Sequence, residues 1–211
     1  MSKIHTVTVV DLDGTLCQCN TFHAFVFYLM KQAFRYGNIL LLAKIILWTG
    51  LRTIRIIPHK RWKFQLLKNN QNKKIDLDNF VNTLQPKLNQ FVIEESKKYN
   101  IRVLATAAPE LYAQKIAEKY NFTHIVATKT SEKYSDFREN IQSTKFKQVK
   151  ALLKELSVSD IDLIFTDHID DALLIKDAKK SWLINANQVL KAYVKAENLS
   201  HQVKYIEVNE K

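Results

Sequence analysis

The sequence predicts an α/β fold, a Rossmann-like, doubly wound parallel sheet interrupted after its first strand by an inserted α-helical cap domain. Three observations predict it. Short apolar or β-branched runs alternate with helical patterns over residues 96–211, and alternation of that kind builds a parallel sheet covered by helices. The first run, residues 6–10 (TVTVV), ends directly in an acidic, glycine-containing turn, DLDGT, as a buried strand does when it delivers side chains to the carboxyl edge of a sheet. Residues 17–95 then break the alternation, being helical in pattern almost throughout. A chain of 211 residues accommodates one compact core with one large insertion better than two independent domains. The expected division is a core of residues 1–16 and 96–211 and a cap of residues 17–95.

The further strands are expected at 101–105 (IRVLA), 123–127 (THIVA), 161–165 (IDLIF) and 181–184 (SWLI). Between them, periodicity predicts helices at 110–120 with Leu111, Ile116 and Ala117 inward, at 145–156 with Val149, Leu152, Leu153 and Leu156 inward, and at 171–178. Inside the insertion, residues 38–47 (NILLLAKIIL) are strongly apolar but carry Lys44 and fall far short of the ~20 residues that cross a bilayer. No transmembrane helix is expected. Two readings of the insertion remain open. Phe22, Phe25, Leu29 and the apolar run pack on one another beneath a solvated basic face, or a basic surface with aliphatic side chains, Trp48 and Trp62 rests on anionic lipid or binds a lipid-linked or polyanionic phosphate.

Composition narrows the class. A hydrophobic fraction of 46% and a charged fraction of 25%, with three glycines and three prolines, describe a globular protein without low-complexity linkers. No secretory leader is expected, and two cysteines two positions apart, Cys17 and Cys19, supply neither a disulfide framework nor a complete zinc site. A reducing, cytoplasmic setting is the expectation, with a peripheral place at the inner membrane surface under the lipid reading. The formal net charge of +11 is unevenly placed. Between Asp13 and Asp76 there is no Asp or Glu, while Lys31, Arg35, Lys44, Arg52, Arg55, Lys60, Arg61, Lys63, Lys68, Lys73 and Lys74 all fall there.

Candidate chemistry gathers at four places. Asp11 and Asp13 stand two apart after the first strand, and Gly14 lets the chain turn sharply enough for both carboxylates to approach one point. Thr106 ends the second strand in LATAAPE. Lys145 opens a helix in STKFKQVKAL, with Lys147 two residues on as the other candidate. Asp167 and Asp171 follow the fourth strand in FTDHIDDALL. A parallel sheet brings all four to one edge. An acidic turn alone is common without function, but the other three places, brought to the same edge of the sheet, argue against that reading. Asp170 and Asp177 read as solvated helix residues, and Cys17 and Cys19 as packing residues. His23 and His59 lack a companion at ligand spacing; His168 stands out only as the neighbour of Asp167.

In this order the four segments resemble the four motifs of the haloacid dehalogenase superfamily, and the match spans the predicted core. DLDGTL is the most specific. ATAAPE is similar to a threonine-alanine-serine-proline-glutamate form, with Ala108 in place of the serine, from a branch whose helical cap lies between the first two motifs. TDHIDDALL keeps two acidic positions four apart, with His168 where a small residue is commoner. The resemblance implies a Mg2+-dependent phosphatase of phosphate monoesters. Asp11 would attack phosphorus and carry an aspartyl-phosphate. Asp13 would protonate the departing alcohol and then take a proton from the hydrolytic water. Thr106 and Lys145 would bind the phosphoryl oxygens, and Asp11, the backbone carbonyl of Asp13, Asp167 and Asp171 would hold or orient Mg2+. A second acid at Asp13 is expected of the superfamily's phosphatases and phosphotransferases, not of its dehalogenases.

The insertion bears on the substrate. Phosphoserine phosphatases of this branch bind the substrate amine through a glutamate soon after the first motif, and here Asn20 holds the comparable position, which argues against phosphoserine. The first sixty residues are closer to the phosphatidylglycerophosphate phosphatases of the same branch: Gln18 in the turn, then Phe22, Phe25, Phe27 and Tyr28, then a basic, hydrophobic stretch to Trp62. Their apolar cap segment, however, is long enough to enter a membrane. A lipid-linked or other anionic phosphate is therefore one expected substrate class, and a sugar phosphate or phosphoamino acid, or transfer to an acceptor other than water, is the alternative. The alternative of another class is a polyanion-binding protein with a vestigial site. Every catalytic position is filled and no stacking or groove-reading motif is present, which argues against a nucleic-acid partner.

Overall fold

The computed structural model describes residues 5–70 and 75–208; Lys73 and Lys74 of the basic segment lie outside them. Among the described residues six strands form one parallel sheet: β1 (Val7–Val10), β2 (Ile101–Pro109), β3 (His124–Thr128), β4 (Leu163–Thr166), β5 (Ser181–Ile184) and β6 (Val203–Ile206), in the order β3-β2-β1-β4-β5-β6. Every residue of β1 is buried, which is why its sequence is a continuous β-branched run instead of an alternating one. Chain direction across the sheet reverses at β1, so the crevice at the carboxyl ends of β1 and β4 is the switch point where such sheets take ligands. The helices α6 (Glu110–Lys119), α7 (Gln142–Glu155), α8 (Ala172–Asp177) and α9 (Gln188–Ala196) run between the strands of this core.

All five expected strands form, β5 with the expected bounds and the other four with shifted ones. β2 continues past residue 105 to Pro109, with a register shift against β3 between Ala105 and Pro109; a bulge of this kind re-aims the side chains it carries. α7 starts at Gln142, so Lys145 lies within its first turn and does not open it. Val149, Leu153, Ile116 and Ala117 are buried as expected, but Leu111, Leu152 and Leu156 are only half-buried, and Tyr112 and Ala113 take the inward face of α6. The edge strand β6 had no clear signal, because VKYI is at most half-buried along its length and an edge strand needs no continuous apolar run.

Between β1 and β2 the chain is helical: α1 (Thr21–Arg35), α2 (Ile39–Thr53), α3 (His59–Asn70), α4 (Leu77–Leu84) and α5 (Gln90–Ser96). Asn20, Asn38, Asp76 and Asn89 cap four of these helices, each side chain accepting from an amide three residues on that would otherwise lack a partner. One apolar core runs from the sheet into the insertion. Phe25 of α1 lies 4.9 Å from Tyr112 of α6 and 5.1 Å from Phe80 of α4, ring centre to ring centre, and Phe80 lies 5.2 Å from Tyr112. Burial of one such ring contributes about 2–3 kcal/mol, which fixes α1 and α4 on the core.

Among the described residues no helix is long and apolar enough to cross a membrane. Mutual packing within the insertion holds for Phe22, Phe25, Leu29, Leu41 and Ile45, which are buried. It fails for four residues of the apolar run: Ile39 is 77% exposed, Leu40 69%, Ile46 51% and Leu47 57%. α2 buries only Leu41 and Ile45 fully, so a helix apolar nearly all round presents its other apolar stripe to solvent.

Candidate active site

The four motifs reach the carboxyl edge of the sheet on different elements, after β1, on β2, on α7 and after β4. Asp11 directly follows β1, and its amide donates to the Phe165 carbonyl of β4 at 3.0 Å, which keeps its backbone in the sheet. The chain then folds back on itself, with Cys17 N donating to Leu12 O and Gly14 N to Cys17 O, both at 2.8 Å. Gly14 sits at φ +79°, and a Cβ there would collide with the Asp167 carboxylate; glycine alone meets both demands. The turn leads into α1, whose first amide, Thr21 N, donates to Asp13 Oδ1 at 2.7 Å. The second carboxylate is thereby held at a helix N-terminus, where orphan amides favour negative charge.

Lys145 is buried, and its Nζ lies 2.7 Å from both Asp11 Oδ1 and Asp171 Oδ1. Lys147 is exposed, so of the two candidate lysines it is Lys145 that reaches the carboxylates. Asp171 Oδ2 accepts from the Thr166 hydroxyl at 2.7 Å, and Asp167 Oδ1 from the Thr15 hydroxyl at 3.2 Å. Thr106 lies in the β2 bulge with its hydroxyl accepting from Ala108 N at 2.9 Å, which leaves its own hydrogen to be donated. Asp11, Asp13, Thr106, Lys145, Asp167 and Asp171 all line one cleft of about 480 Å³.

The cleft is short of positive charge. Burial raises the pKa of Asp11 to about 8, against the pull of Lys145 and with the help of Asp171 and Asp167. Burial also raises Asp13, opposed by its hydrogen bonds from Thr21 and by Lys63 and Lys145, and it lifts Asp167 to about 6 against the Thr15 hydrogen bond. Burial of Lys145 disfavours its charge, but Asp11 and Asp171 outweigh that and hold it above the ordinary lysine range. Among the described residues no three His, Cys, Asp or Glu side chains form a ready-made metal cage. Mg2+ needs none, being held by one or two carboxylates with other oxygens and waters. The donor set fits it: the charges of Asp171 and Asp167 add to burial in raising the proton affinity of Asp11, and the Asp13 carbonyl takes no part in the hydrogen bonds that close the turn.

Other residues fall differently from expectation. Asp170, read as solvated, is half-buried, borders the cleft, and accepts from Gln142 Nε2 at 2.9 Å; His168 also borders the cleft, its Nδ1 accepting from Asp170 N at 3.2 Å. Asp177 pairs with Lys150 at 2.9 Å on the surface. Cys17 is buried in the core, its Sγ 3.3 Å from that of Cys19, and Cys19 reaches the cleft. Sequence reasoning missed Thr15 and Thr166, although their adjacency to the motif aspartates was a usable signal. It also missed Lys63 and Asn140. Lys63 of α3 is buried, 2.5 Å from Glu139 Oε1 and 3.4 Å from Ala107 O. Asn140 Nδ2 donates to Thr106 O at 2.9 Å and Val126 O at 3.0 Å, tying β2 to β3 at the bulge.

Sheet order and a carboxylate-rich cleft with a buried lysine together define an α/β protein whose candidate site lies at the β1/β4 switch point. The family model described as haloacid dehalogenase-like hydrolase matches residues 8–176, and the chain belongs to that family of enzymes. Among solved structures it is similar to a Bordetella pertussis Tohama I protein of unknown function (TM-score 0.73, 13% identity, covering 98% of this chain and 99% of that one). It is also similar to a substrate-bound phosphoserine phosphatase (TM-score 0.55, 13% identity, 91% of each chain). A third is a phosphoserine phosphohydrolase-like protein from Francisella tularensis subsp. tularensis SCHU S4 (TM-score 0.53, 18% identity, 94% of each chain). At these identities the likeness is one of fold. No curated protein matches the sequence.

Proposed function

We propose that the protein is a Mg2+-dependent phosphatase that hydrolyses a phosphate monoester through an aspartyl-phosphate on Asp11. The observation that carries this reading is the buried Asp11–Lys145–Asp171 chain, with both contacts at 2.7 Å, beside an Asp13 fixed on Thr21 N. Membership of a hydrolase family supplies the reaction class, and phosphoserine phosphatases among the fold's relatives favour a phosphate ester. An Asp11 carboxylate oxygen bonds to phosphorus as the ester oxygen leaves, and Asp13 gives that oxygen its proton. Water then cleaves the acyl-phosphate, passing a proton to Asp13 and restoring Asp11 with release of phosphate. Lys145 and the Thr106 hydroxyl meet the charge on the phosphoryl oxygens. Asp11, the Asp13 carbonyl and Asp167, with Asp171 behind them, would hold Mg2+, which would supply positive charge against the phosphoryl oxygens.

In this reading residues 17–95 are the cap that selects the substrate and residues 1–16 with 96–211 the catalytic core. The test is phosphate release from sugar phosphates, phosphoamino acids, nucleotides and lipid phosphates, with and without Mg2+, by wild type and Asp11→Asn. Turnover that needs Mg2+ and is lost in the variant is expected; turnover that survives chelation would contradict the role of the metal.

One observation favours a lipid-linked or membrane-borne phosphate over a soluble metabolite. The exposed apolar side chains of α2 are followed and preceded in the chain by further exposed ones, Phe34, Tyr36, Ile54 and Ile56, and Lys31, Arg35, Lys44, Arg52 and Arg55 fall in the same acid-free stretch of sequence. An exposed apolar stripe in a cation-rich segment is a surface that an anionic bilayer takes up, each basic residue that comes near the bilayer contributing about 1 kcal/mol. Flotation with anionic vesicles tests this. Salt-sensitive binding is expected, and no binding at low salt removes the membrane from the account.

A further inference from the structure

Beside the catalytic cleft lies a second cavity of about 760 Å³, larger than the cleft, and Asn20 lines both. It is formed by α1, α2, α3 and the turn that joins the last two. Arg52, Arg55, His23 and His59 line it together with the apolar side chains of Phe27 and Trp62. No acid lines it, and among the described residues neither arginine has a carboxylate partner. Unpaired cations in a half-enclosed, partly apolar space concentrate anions, and guanidinium groups bind phosphate and carboxylate in a two-point fork.

The arginines are placed by backbone geometry. α2 ends in a left-handed cap, a position that ordinarily belongs to glycine, but here the residue is Arg55 at φ 61°. Arg55 N donates to Arg52 O and Ile56 N to Leu51 O, both at 3.0 Å, which pins both residues at the rim of the cavity. Asn20 Oδ1 accepts from His23 N at 2.9 Å, so its amide NH2 remains a donor where the two cavities meet. Their charges share one field. Burial, His59, Arg52 and Lys63 all lower the proton affinity of His23, while Asp13, from the catalytic cleft, raises it.

We propose that this second cavity is the leaving-group subsite, and that it takes substrates whose alcohol carries a second anionic group, phosphate, phosphodiester or carboxylate, next to an apolar portion. The inference rests on the phosphatase reading, with the scissile phosphate at Asp11. Arg52 and Arg55 bind the second anion, and Phe27 and Trp62 cover the apolar atoms beside it.

The experiment compares kcat/KM for three probes: p-nitrophenyl phosphate, which has one anionic group; a water-soluble polyol bisphosphate; and, in detergent micelles, a lipid phosphate monoester whose alcohol carries a phosphodiester. Wild type is expected to prefer at least one of the last two over the first, and which one it prefers identifies a soluble or a lipid source. In Arg52→Ala/Arg55→Ala the ratio of kcat/KM for the preferred substrate to that for p-nitrophenyl phosphate is expected to fall about 10- to 100-fold, chiefly through KM, as loss of charge-assisted hydrogen bonds does. Arg52→Lys/Arg55→Lys should recover part of it. Turnover of p-nitrophenyl phosphate with no preference in wild type, or with an unchanged ratio in the double variant, overturns the subsite alone. Absence of all turnover overturns the phosphatase reading beneath it.

Discussion

Lys145 and Lys63 belong to a chain with a large basic excess, yet both are buried, and each is buried against acid: Lys145 on Asp11 and Asp171, Lys63 on Glu139. A buried charge that loses its partner is strongly destabilising, so these contacts can be tested one side chain at a time. Lys145→Met is expected to lower kcat by roughly 10²–10³-fold, the usual effect of removing a group that meets transition-state charge, whereas exposed Lys147→Met leaves kcat within about twofold; steady-state kinetics on the two variants decides which lysine serves. Glu139→Gln is expected to lower the unfolding free energy by about 3 kcal/mol at pH 7. Burial alone would raise the Glu139 carboxyl, but His59 and Lys63 bring it from 4.5 down to about 2. The folded pKa lies below the unfolded one, so the stabilisation is complete above about pH 4.5 and is lost as pH falls towards 2. Urea titrations should therefore show wild type and Glu139→Gln converging between those limits, and a gap as wide at pH 3 as at pH 7 would contradict the pairing. The motif aspartates were legible in the sequence because a strand end, a turn and a fixed spacing coincide at each. Lys63 and Asn140 were not, because their partners lie 76 and 34 positions away and nothing local marks them.

The elements divide in the same way. β1, β2 and β4 could be read from apolar runs because both faces of a central parallel strand are buried, whereas α9 was not expected, although Asn187 at its start is a capping residue of the kind that marks a helix. The β6 edge strand and the true start of α7 could not be read, the first for want of burial and the second because Ile141 caps α7 without a side-chain hydrogen bond. Two predictions belong here. Gly14→Ala forces a left-handed residue and a side chain onto Asp167; it is expected to abolish measurable turnover and to lower stability by about 1–3 kcal/mol, read from activity and thermal unfolding of the same preparation. Phe80→Ala opens a hole between α1, α4 and α6 and should lower the unfolding free energy by about 3–5 kcal/mol. A loss below 1 kcal/mol would mean that these rings do not fasten the inserted helices to the core.

Across the whole molecule, charge and apolar surface are segregated. The acid-free stretch carries the exposed stripe of α2, the second cavity and one margin of the catalytic cleft, while the motif acids sit at the sheet edge. The segregation of charge was visible in the sequence. The exposure of Ile39, Leu40, Ile46 and Leu47 was not, since periodicity cannot say which side of an all-round apolar helix finds a partner. Leu40→Ser/Leu47→Ser is expected to weaken flotation with anionic vesicles several-fold while changing the unfolding free energy by no more than about 0.5 kcal/mol, as substitutions at exposed sites do; equal flotation by variant and wild type would remove the stripe from membrane binding. The proposed reaction turns on one group, the Asp11 carboxylate. The most direct measurement is acid quench of the protein during turnover of a phosphate ester with Mg2+, followed by mass spectrometry of its peptides. A single hydroxylamine-labile phosphoryl group on Asp11, absent from Asp11→Asn, is the predicted result. A phosphoryl group on another side chain, or turnover by Asp11→Asn at the wild-type rate, would contradict it.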